Sequence, residues 1–435
     1  MILSRYCRIY PADGEEDSCL LFSTKKSSSV IISRKLLADI HSDRVRRDER
    51  SVLSELGFLV NSAVDEREEM LKFVDEVNGL NKVLKAVIVM NLDCNLACRY
   101  CFEGQRKGSY FMSEEGGFRV VDFLGTILLA KDGKDIEEIK ITFYGGEPLL
   151  SFERVIFIAE RTKRMAEAVH AKFSFSFITN GTLLTTEKVA RLNPLGLKEA
   201  LITLDGPRES HNRNRPFRNG NGSFDTIIKN VKDVCAMTEI QVGGNFTSEN
   251  YNEFPKLLDF MLANGLTPST IKSVNFVPVM MEQQGIAQPD FNDGCMSANE
   301  PWILEAVPSL REEILKKGFR ADIIMPSFCM VEYDTNFVIN HDGSIYKCPG
   351  LIGRETFKIG DIRTGIRDYR QSHNLDNWKN EECLKCAYLP LCFGGCRYMK
   401  VIRDGNMEGV DCKKPYFDAC LETLVKQDIR YGLTG

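Results

Sequence analysis

No run of apolar residues in this sequence approaches the ~20 needed to cross a membrane. Leu56–Val60 and Val120–Ala130 are apolar but short. The opening residues, Met1-Ile2-Leu3-Ser4-Arg5, lack the long apolar core of a signal peptide. A basic surplus is also missing. The chain has 56 Lys and Arg against 61 Asp and Glu, a formal net charge of −5, which argues against non-specific nucleic-acid binding. These absences set the expectation of a reducing, cytoplasmic setting, with no membrane and no nucleic acid as partner. What remains is ordinary for a globular protein, with 43% hydrophobic and 27% charged residues. Its 435 residues leave room for two or three domains.

The chain does have cysteine, fifteen in all. A disulfide framework is a poor account of them in a large chain without a secretion signal. Ten of the fifteen fall in metal-type spacings, at residues 94–101 and 329–412. Cys7, Cys19 and Cys235 stand alone and read as small buried side chains. The first group is Cys94-x3-Cys98-x2-Cys101. It follows Ala86–Met90, which reads as a buried strand. The cysteines therefore lie past a strand's C-terminal end, where α/β enzymes usually place chemistry. Three thiolates suit iron–sulfur or zinc. No His or Cys follows closely enough to complete a tetrahedral zinc site. A four-iron cluster on three cysteines leaves one iron open to a substrate or cofactor. A structural metal knuckle is the plainer alternative.

This spacing, with Tyr100 before the last cysteine and Phe102 after it, resembles the signature of the radical SAM superfamily. The resemblance implies a [4Fe-4S] cluster whose open iron binds the amino and carboxylate groups of S-adenosylmethionine. One electron then cleaves that cofactor to a 5′-deoxyadenosyl radical.

Residues 84–318 alternate strand and helix patterns, which implies a parallel sheet. After the first strand, strands are expected at Ile139–Tyr144, Phe173–Ile178, Ala200–Leu204, Ile240–Phe246 and Val274–Val279. Helices are expected at Ser151–Val169, Thr185–Leu192, Ser223–Cys235, Asn252–Ala263 and Glu305–Lys317. Six such units suit an α/β fold, a partial (β/α)6 barrel of the TIM type, as radical SAM cores commonly are. Motifs sit at the strand ends. Gly145-Gly146-Glu147-Pro148 follows the second strand; its glycines permit close backbone approach, and Glu147 can accept from an amine. It resembles the family's Gly-Gly-Glu motif, which implies contact with the amino group of S-adenosylmethionine. Asn180, in Thr179-Asn180-Gly181, matches a position beside the methionyl part. Thr203-Leu204-Asp205-Gly206-Pro207 is similar to a family phrase that begins with Ser, so a hydroxyl is kept at Thr203. Arg215 matches the arginine that pairs with the cofactor carboxylate, with Arg213 and Arg218 as competing neighbours. His211 reads as a satisfied structural histidine, with proton carriage as the alternative. The sixth strand's end, through Val279, matches the segment that backs the adenine.

Beyond about residue 319 cysteines replace the alternating units. Cys329 is followed by Gly343-x4-Cys348, and Asp342-Gly343 between apolar alternating runs signals a hairpin. Then come Cys383-x2-Cys386-x5-Cys392-x3-Cys396 and Cys412. A zinc ribbon is the rival reading. The order resembles the SPASM extension of radical SAM enzymes, which implies two auxiliary [4Fe-4S] clusters in residues 319–435. Cys383, Cys386, Cys392 and Cys412 would hold the outer one; Cys329, Cys348 and Cys396 would hold the inner one. Some relatives add a cysteine shortly after the first, but Met330–Asn336 contains none. The inner fourth ligand is left open between Cys295, Cys420, another side chain and a vacant iron. Cys420 also competes for the last outer position.

Residues 1–80 read as a small unit. Short strands are expected at Tyr6–Tyr10, Cys19–Thr24 and Val30–Ile32, and helices from Ser33, from Arg50 to Leu56 and from Asp65 to Asn78. The order resembles the winged-helix peptide-recognition element of peptide-modifying radical SAM enzymes. That implies leader-peptide capture by strand addition; an extension packed on the barrel is the alternative. The opening stretch is also loosely similar to the geopeptide group of maturases. The expected activity is thioether crosslinking of a ribosomal precursor peptide (leader plus Cys-containing core), fed by an external one-electron reductant such as flavodoxin or ferredoxin. Sulfatase-type oxidation of Cys or Ser to formylglycine is the first alternative. A non-catalytic iron–sulfur electron carrier or peptide-binding scaffold is the second.

Overall fold

The computed structural model describes residues 1–101, 103–129, 136–281 and 293–433. Strand β1 (Ile2–Leu3) leads into an antiparallel sheet of β2 (Cys7–Pro11), β3 (Ser18–Ser23) and β4 (Ser29–Ser33), in that order. Helices α1 (Arg34–His41) and α2 (Arg47–Glu55) follow, then β5 (Leu59–Val60), which pairs back on β1, and α3 (Ala63–Leu80). Ser33 starts α1 by accepting from the Leu36 amide at 3.1 Å, and Ser62 caps α3 in the same way. One face of this unit closes over its own core, which includes Cys7, Cys19, Leu21, Ile40 and Phe58.

The other face docks on the cysteine-rich C-terminal region. Tyr10, Leu20 and Phe22 pack with Tyr388, Phe417 and Leu421. Met70 and Val74 of α3 pack with Phe328, Trp378 and Phe393. Arg5 donates to the Leu384 carbonyl at 2.6 Å and Thr24 to that of Ala387 at 2.7 Å.

Six parallel strands follow: β6 (Val83–Val89), β7 (Glu138–Tyr144), β8 (Lys172–Thr179), β9 (Leu197–Thr203), β10 (Glu239–Phe246) and β11 (Ser273–Pro278). Each pairs with the next in sequence. Between and after them lie α4 (Glu114–Leu129), α5 (Phe152–Ala168), α6 (Thr186–Leu192), α7 (Arg208–Asn214), α8 (Phe224–Val234), α9 (Phe254–Ala263) and α10 (Pro301–Lys316). Strand alternation sorts the two faces of the sheet. Leu84, Ile88, Ile141, Phe177, Ile202 and Val242 point to the helices and form the main core. The other face carries small and polar residues, among them Thr142, Ser176, Thr203, Gly243 and Asn245, and surrounds cavities.

Two features depart from the sequence expectation. Val120–Ala130 read only as a short apolar run, yet Val120–Leu129 lie in α4, the helix of the first unit; Ala130 lies outside the described residues. Gly116, Gly117 and Gly125 dilute that helix's local pattern. The sheet also does not end with six strands. Strand β12 (Asn336–Ile339) pairs parallel to β6, then β13 (Ser344–Tyr346), β14 (Gly360–Asp361) and β15 (Gly365–Ile366) extend it antiparallel. The described residues thus hold a ten-stranded sheet that crosses the expected boundary at residue 319. Short helices α11 (Glu381–Leu384) and α12 (Leu389–Cys392), then α13 (Arg397–Asp404) and α14 (Lys414–Arg430), complete the chain. Among the described residues no helix is long and apolar enough to cross a membrane.

Phe143 is fully buried between Phe175 and Phe177, with ring centroids at 5.4 and 5.6 Å. Phe143→Ala is expected to cost about 3–5 kcal/mol, read as a lower denaturant midpoint in anaerobic unfolding.

Candidate active site

The first cysteine loop is held from two sides. On one side the turn after β7 is strapped to it: Gly146 N donates to Asn91 O at 3.0 Å, and Glu147 N to Asp93 O at 2.8 Å. Asn91 Nδ2 donates to Glu147 O at 3.0 Å and to Ser151 Oγ at 2.8 Å. A Cβ on Gly145 or Gly146 would lie 2.4 Å from Asn91 O or 2.1 Å from Asp93 O. The glycines therefore let two backbones touch, as well as bordering the cavity. On the other side Ala97 N donates to Pro216 O at 2.8 Å and Arg99 N to Asn214 O at 3.0 Å. Cys94 and Cys98 are buried and Cys101 is half-buried. Cys98 lies within electrostatic reach of both the others. Burial pushes the Cys94 thiol up to about 11, and raises Cys98 against the pull of Arg215.

The three thiols open on a cavity of about 570 Å³, within the range of small-molecule sites. Of the expected cofactor residues, Tyr100, Gly145, Gly146, Asn180, Thr203, Arg215 and Val279 line it. Phe102 lies outside the described residues. Glu147 is fully buried and directed inward. Its carboxylate accepts from Thr179 Oγ1 at 2.8 and 2.9 Å, Asn180 N at 2.9 Å and Leu149 N at 3.0 Å. These donors oppose the upward pull of burial on its pKa. Glu147 thus fixes Asn180, whose Nδ2 donates to Asn95 Oδ1 at 2.8 Å and reaches Cys94 Sγ at 3.7 Å. Pro148 is buried at the start of the following turn.

Asp205 is also fully buried, with burial raising its pKa and Arg215 opposing that rise. It accepts from the Tyr100 hydroxyl and from Asn245 N at 2.8 Å. Arg215 Nη1 donates to Tyr100 Oη at 2.7 Å and lies 3.9 Å from Asp205. Its Nε is buried with no protein partner. Arg213 and Arg218 are exposed, and Arg218 pairs with Asp93. Of the three arginines, Arg215 is the one on the cavity wall. His211 is fully buried. Asp205 N donates to its Nδ1 at 3.2 Å, so the proton sits on Nε2 and faces Ser223 Oγ at 3.0 Å, which in turn donates to Arg215 O at 2.6 Å. Burial and Arg215 hold its pKa well below the usual histidine value.

Among the lining residues not picked out from sequence are Glu103, Lys107 and Asn245. Glu103 is 5% exposed, with neither carboxylate oxygen hydrogen-bonded and burial holding its pKa at about 7. Lys107 faces the thiols. Asn245, on β10, joins the Tyr100–Asp205 network. Charged residues in a loop carry no local signal of such placement.

The distal cysteines fall into two groups. The thiols of Cys329, Cys348 and Cys396 lie within electrostatic reach of one another. Cys383, Cys386 and Cys412 do likewise, and Cys392 reaches Cys383 and Cys412. Gly395 (φ +76°) permits this layout: a Cβ there would lie 1.9 Å from the carbonyl of Asp411, next to Cys412. Cys420 instead donates to Leu304 O at 3.4 Å. The charged groups within reach of Cys295 are Glu300 and Asp411. Tyr398 and Tyr144 line the cavity and both reach Cys348; Tyr144 also reaches Cys101. Among the described residues, no three His, Cys, Asp or Glu side chains are placed to hold a single metal ion. A four-iron cluster is larger and spreads its thiolates more widely. Three thiols on one wall and an unpartnered guanidinium N–H beside them fit such a cluster with an anionic cofactor group on its open iron.

Residues 88–261 match the Radical SAM superfamily. It is 24% identical over 336 residues to the cysteine-type anaerobic sulfatase-maturating enzyme of Clostridium perfringens (strain 13 / Type A), covering 70% of this chain and 86% of that one. The fold is similar to that of anSMEcpe, solved with bound AdoMet and the Kp18Cys peptide (TM-score 0.63, 20% identity, 80% of this chain and 99% of that one). It is also similar to SuiB of Streptococcus suis (TM-score 0.52, 16% identity, 94% and 98%).

Because His211 is held neutral, folding stability should be present in full above the unfolded histidine value of about 6.5 and fall as pH drops below it, by about 1.4 kcal/mol per unit. His211→Asn should flatten that part of the profile. Denaturant melts from pH 5 to 8 read both slopes.

Proposed function

We propose that this chain is a radical SAM maturase that crosslinks a ribosomal precursor peptide through a thioether. The observation carrying the reading is that two thiol groups flank one cavity: Cys94, Cys98 and Cys101 directly, and the trio Cys329, Cys348 and Cys396 behind Tyr144 and Tyr398. When bound, a four-iron cluster with S-adenosylmethionine supplies reductive cleavage of the cofactor and, through it, hydrogen-atom abstraction.

The chain's own residues bind and orient. Arg215 offers its buried guanidinium to the cofactor carboxylate. Asp205 and Tyr100 hold that guanidinium in place. Glu147 fixes Asn180 beside Cys94, and the Gly145–Gly146 turn closes the same wall. Thr203 and Val279 border the remaining cofactor space. The distal groups are assigned to two auxiliary clusters, which when bound would supply an acceptor for the electron released as a substrate radical bonds to a cysteine sulfur. That coupling removes one hydrogen from carbon and one from sulfur. Cys420 is directed to Leu304 O, and the charged groups near Cys295 are Glu300 and Asp411; with the trio alone as ligands, a cluster bound there would keep an iron open for a substrate thiolate. Residues 1–80 are assigned to leader recognition; β4 ends their sheet and carries exposed Ile31. A flavodoxin- or ferredoxin-type reductant supplies the first electron.

Oxidation of a Cys or Ser to formylglycine is the second reading, favoured by the similarity to the Clostridium perfringens enzyme. Mass spectrometry of a Cys-rich peptide encoded beside the gene separates the two. A thioether loses two hydrogens and keeps its sulfur, whereas formylglycine made from cysteine loses sulfur. Anaerobic reconstitution is expected to load about twelve irons per chain and to yield 5′-deoxyadenosine with dithionite. A Cys98→Ala variant should load about eight and make none. No 5′-deoxyadenosine from the fully loaded protein would turn the reading to an electron carrier or scaffold.

A further inference from the structure

Lys107 follows a short turn, Gly104–Arg106, that ends the first cysteine loop. It lines the cavity with Cys94, Cys98 and Cys101. Its ammonium lies within electrostatic reach of all three thiols, that of Cys101 foremost. Among the described residues no carboxylate lies within 4 Å of it. The other cation on this wall, Arg215, is already matched by Asp205 and Tyr100. Lys107 also reaches the buried carboxyl of Glu103 on the same wall, and it is the cation set against all three thiols.

We infer that Lys107 sets the reduction potential of the cluster carried by Cys94, Cys98 and Cys101, which rests on the radical SAM reading of that loop. Reduction adds one negative charge to a cluster already bound by three thiolates, in a wall with little water. An ammonium nearby stabilises the added electron and makes the potential less negative. Lys107 is a positioning residue in this sense: it binds no iron and touches no reacting carbon.

The test is a potentiometric titration of the reconstituted full-length protein, followed by electron paramagnetic resonance. The cluster in question is the one whose signal changes when S-adenosylmethionine is added. In Lys107→Met its midpoint should move to more negative potential, while signals insensitive to the cofactor stay in place. Lys107→Arg, which keeps charge and donors, should remain close to wild type. An unmoved midpoint in fully loaded Lys107→Met overturns the inference. So does loss of the cluster from folded Lys107→Met and Lys107→Gln alike, which would make Lys107 an assembly residue. A protein with no cofactor-sensitive signal in any form would instead sink the radical SAM reading itself.

Discussion

Contact between two stretches of backbone governs the mouth of the barrel. Asn91–Asp93 and Gly145–Gly146 approach so closely that no side chain fits between them. From that contact the first cysteine loop takes its direction, and the turn after β7 is drawn over it. Glu147, carried on the same turn, reaches down to Asn180 at the end of β8. One steric constraint thus links the ends of three neighbouring strands. A methyl group at either glycine would push the cysteine wall away from the cofactor space before it touched any ligand.

Charge is arranged as tightly as shape. Buried Asp205 and Arg215 are joined through half-buried Tyr100 and Asn245, in a wall where an unpaired charge would be costly. The Asp205 amide and the Arg215 carbonyl are also joined through His211 and Ser223. The segment from Asp205 to Ser223 is therefore one hydrogen-bonded unit. The sheet supplies the matching surface, because the strand faces turned from the helices carry Thr203, Gly243 and Asn245 where an apolar core would otherwise fill the barrel.

Much of this was legible in sequence, for identifiable reasons. The units from β7 to β11 show because each strand is a short apolar or alternating run set between stretches of helical pattern. Cysteine spacing is legible because metal-ligand geometry repeats over few residues. Three things were not legible. Helix α4 is diluted by its glycines. Strand β12 joins β6 from some 250 residues away, and pairing at that range leaves no local pattern. Glu103 and Lys107 look like any polar pair in a loop; only the fold turns them into the cavity. The inward direction of Glu147 is of the same kind, since its partners at Thr179 and Asn180 belong to another strand.

The docking of the first unit on the last has a consequence for how the chain is made. Arg5 bonds to Leu384 across 379 residues of sequence, and Tyr10, Leu20 and Phe22 wait for Tyr388, Phe417 and Leu421. During synthesis this sheet emerges before α14 and must hold that aromatic face uncovered until α14 is made. The bracing of the segment from Cys383 to Cys392 by residues 1–80 is therefore a late event, and the outer cysteines reach their final placement only with it. Contacts this distant in sequence close slowly, so the uncovered aromatic face is open to aggregation until they form.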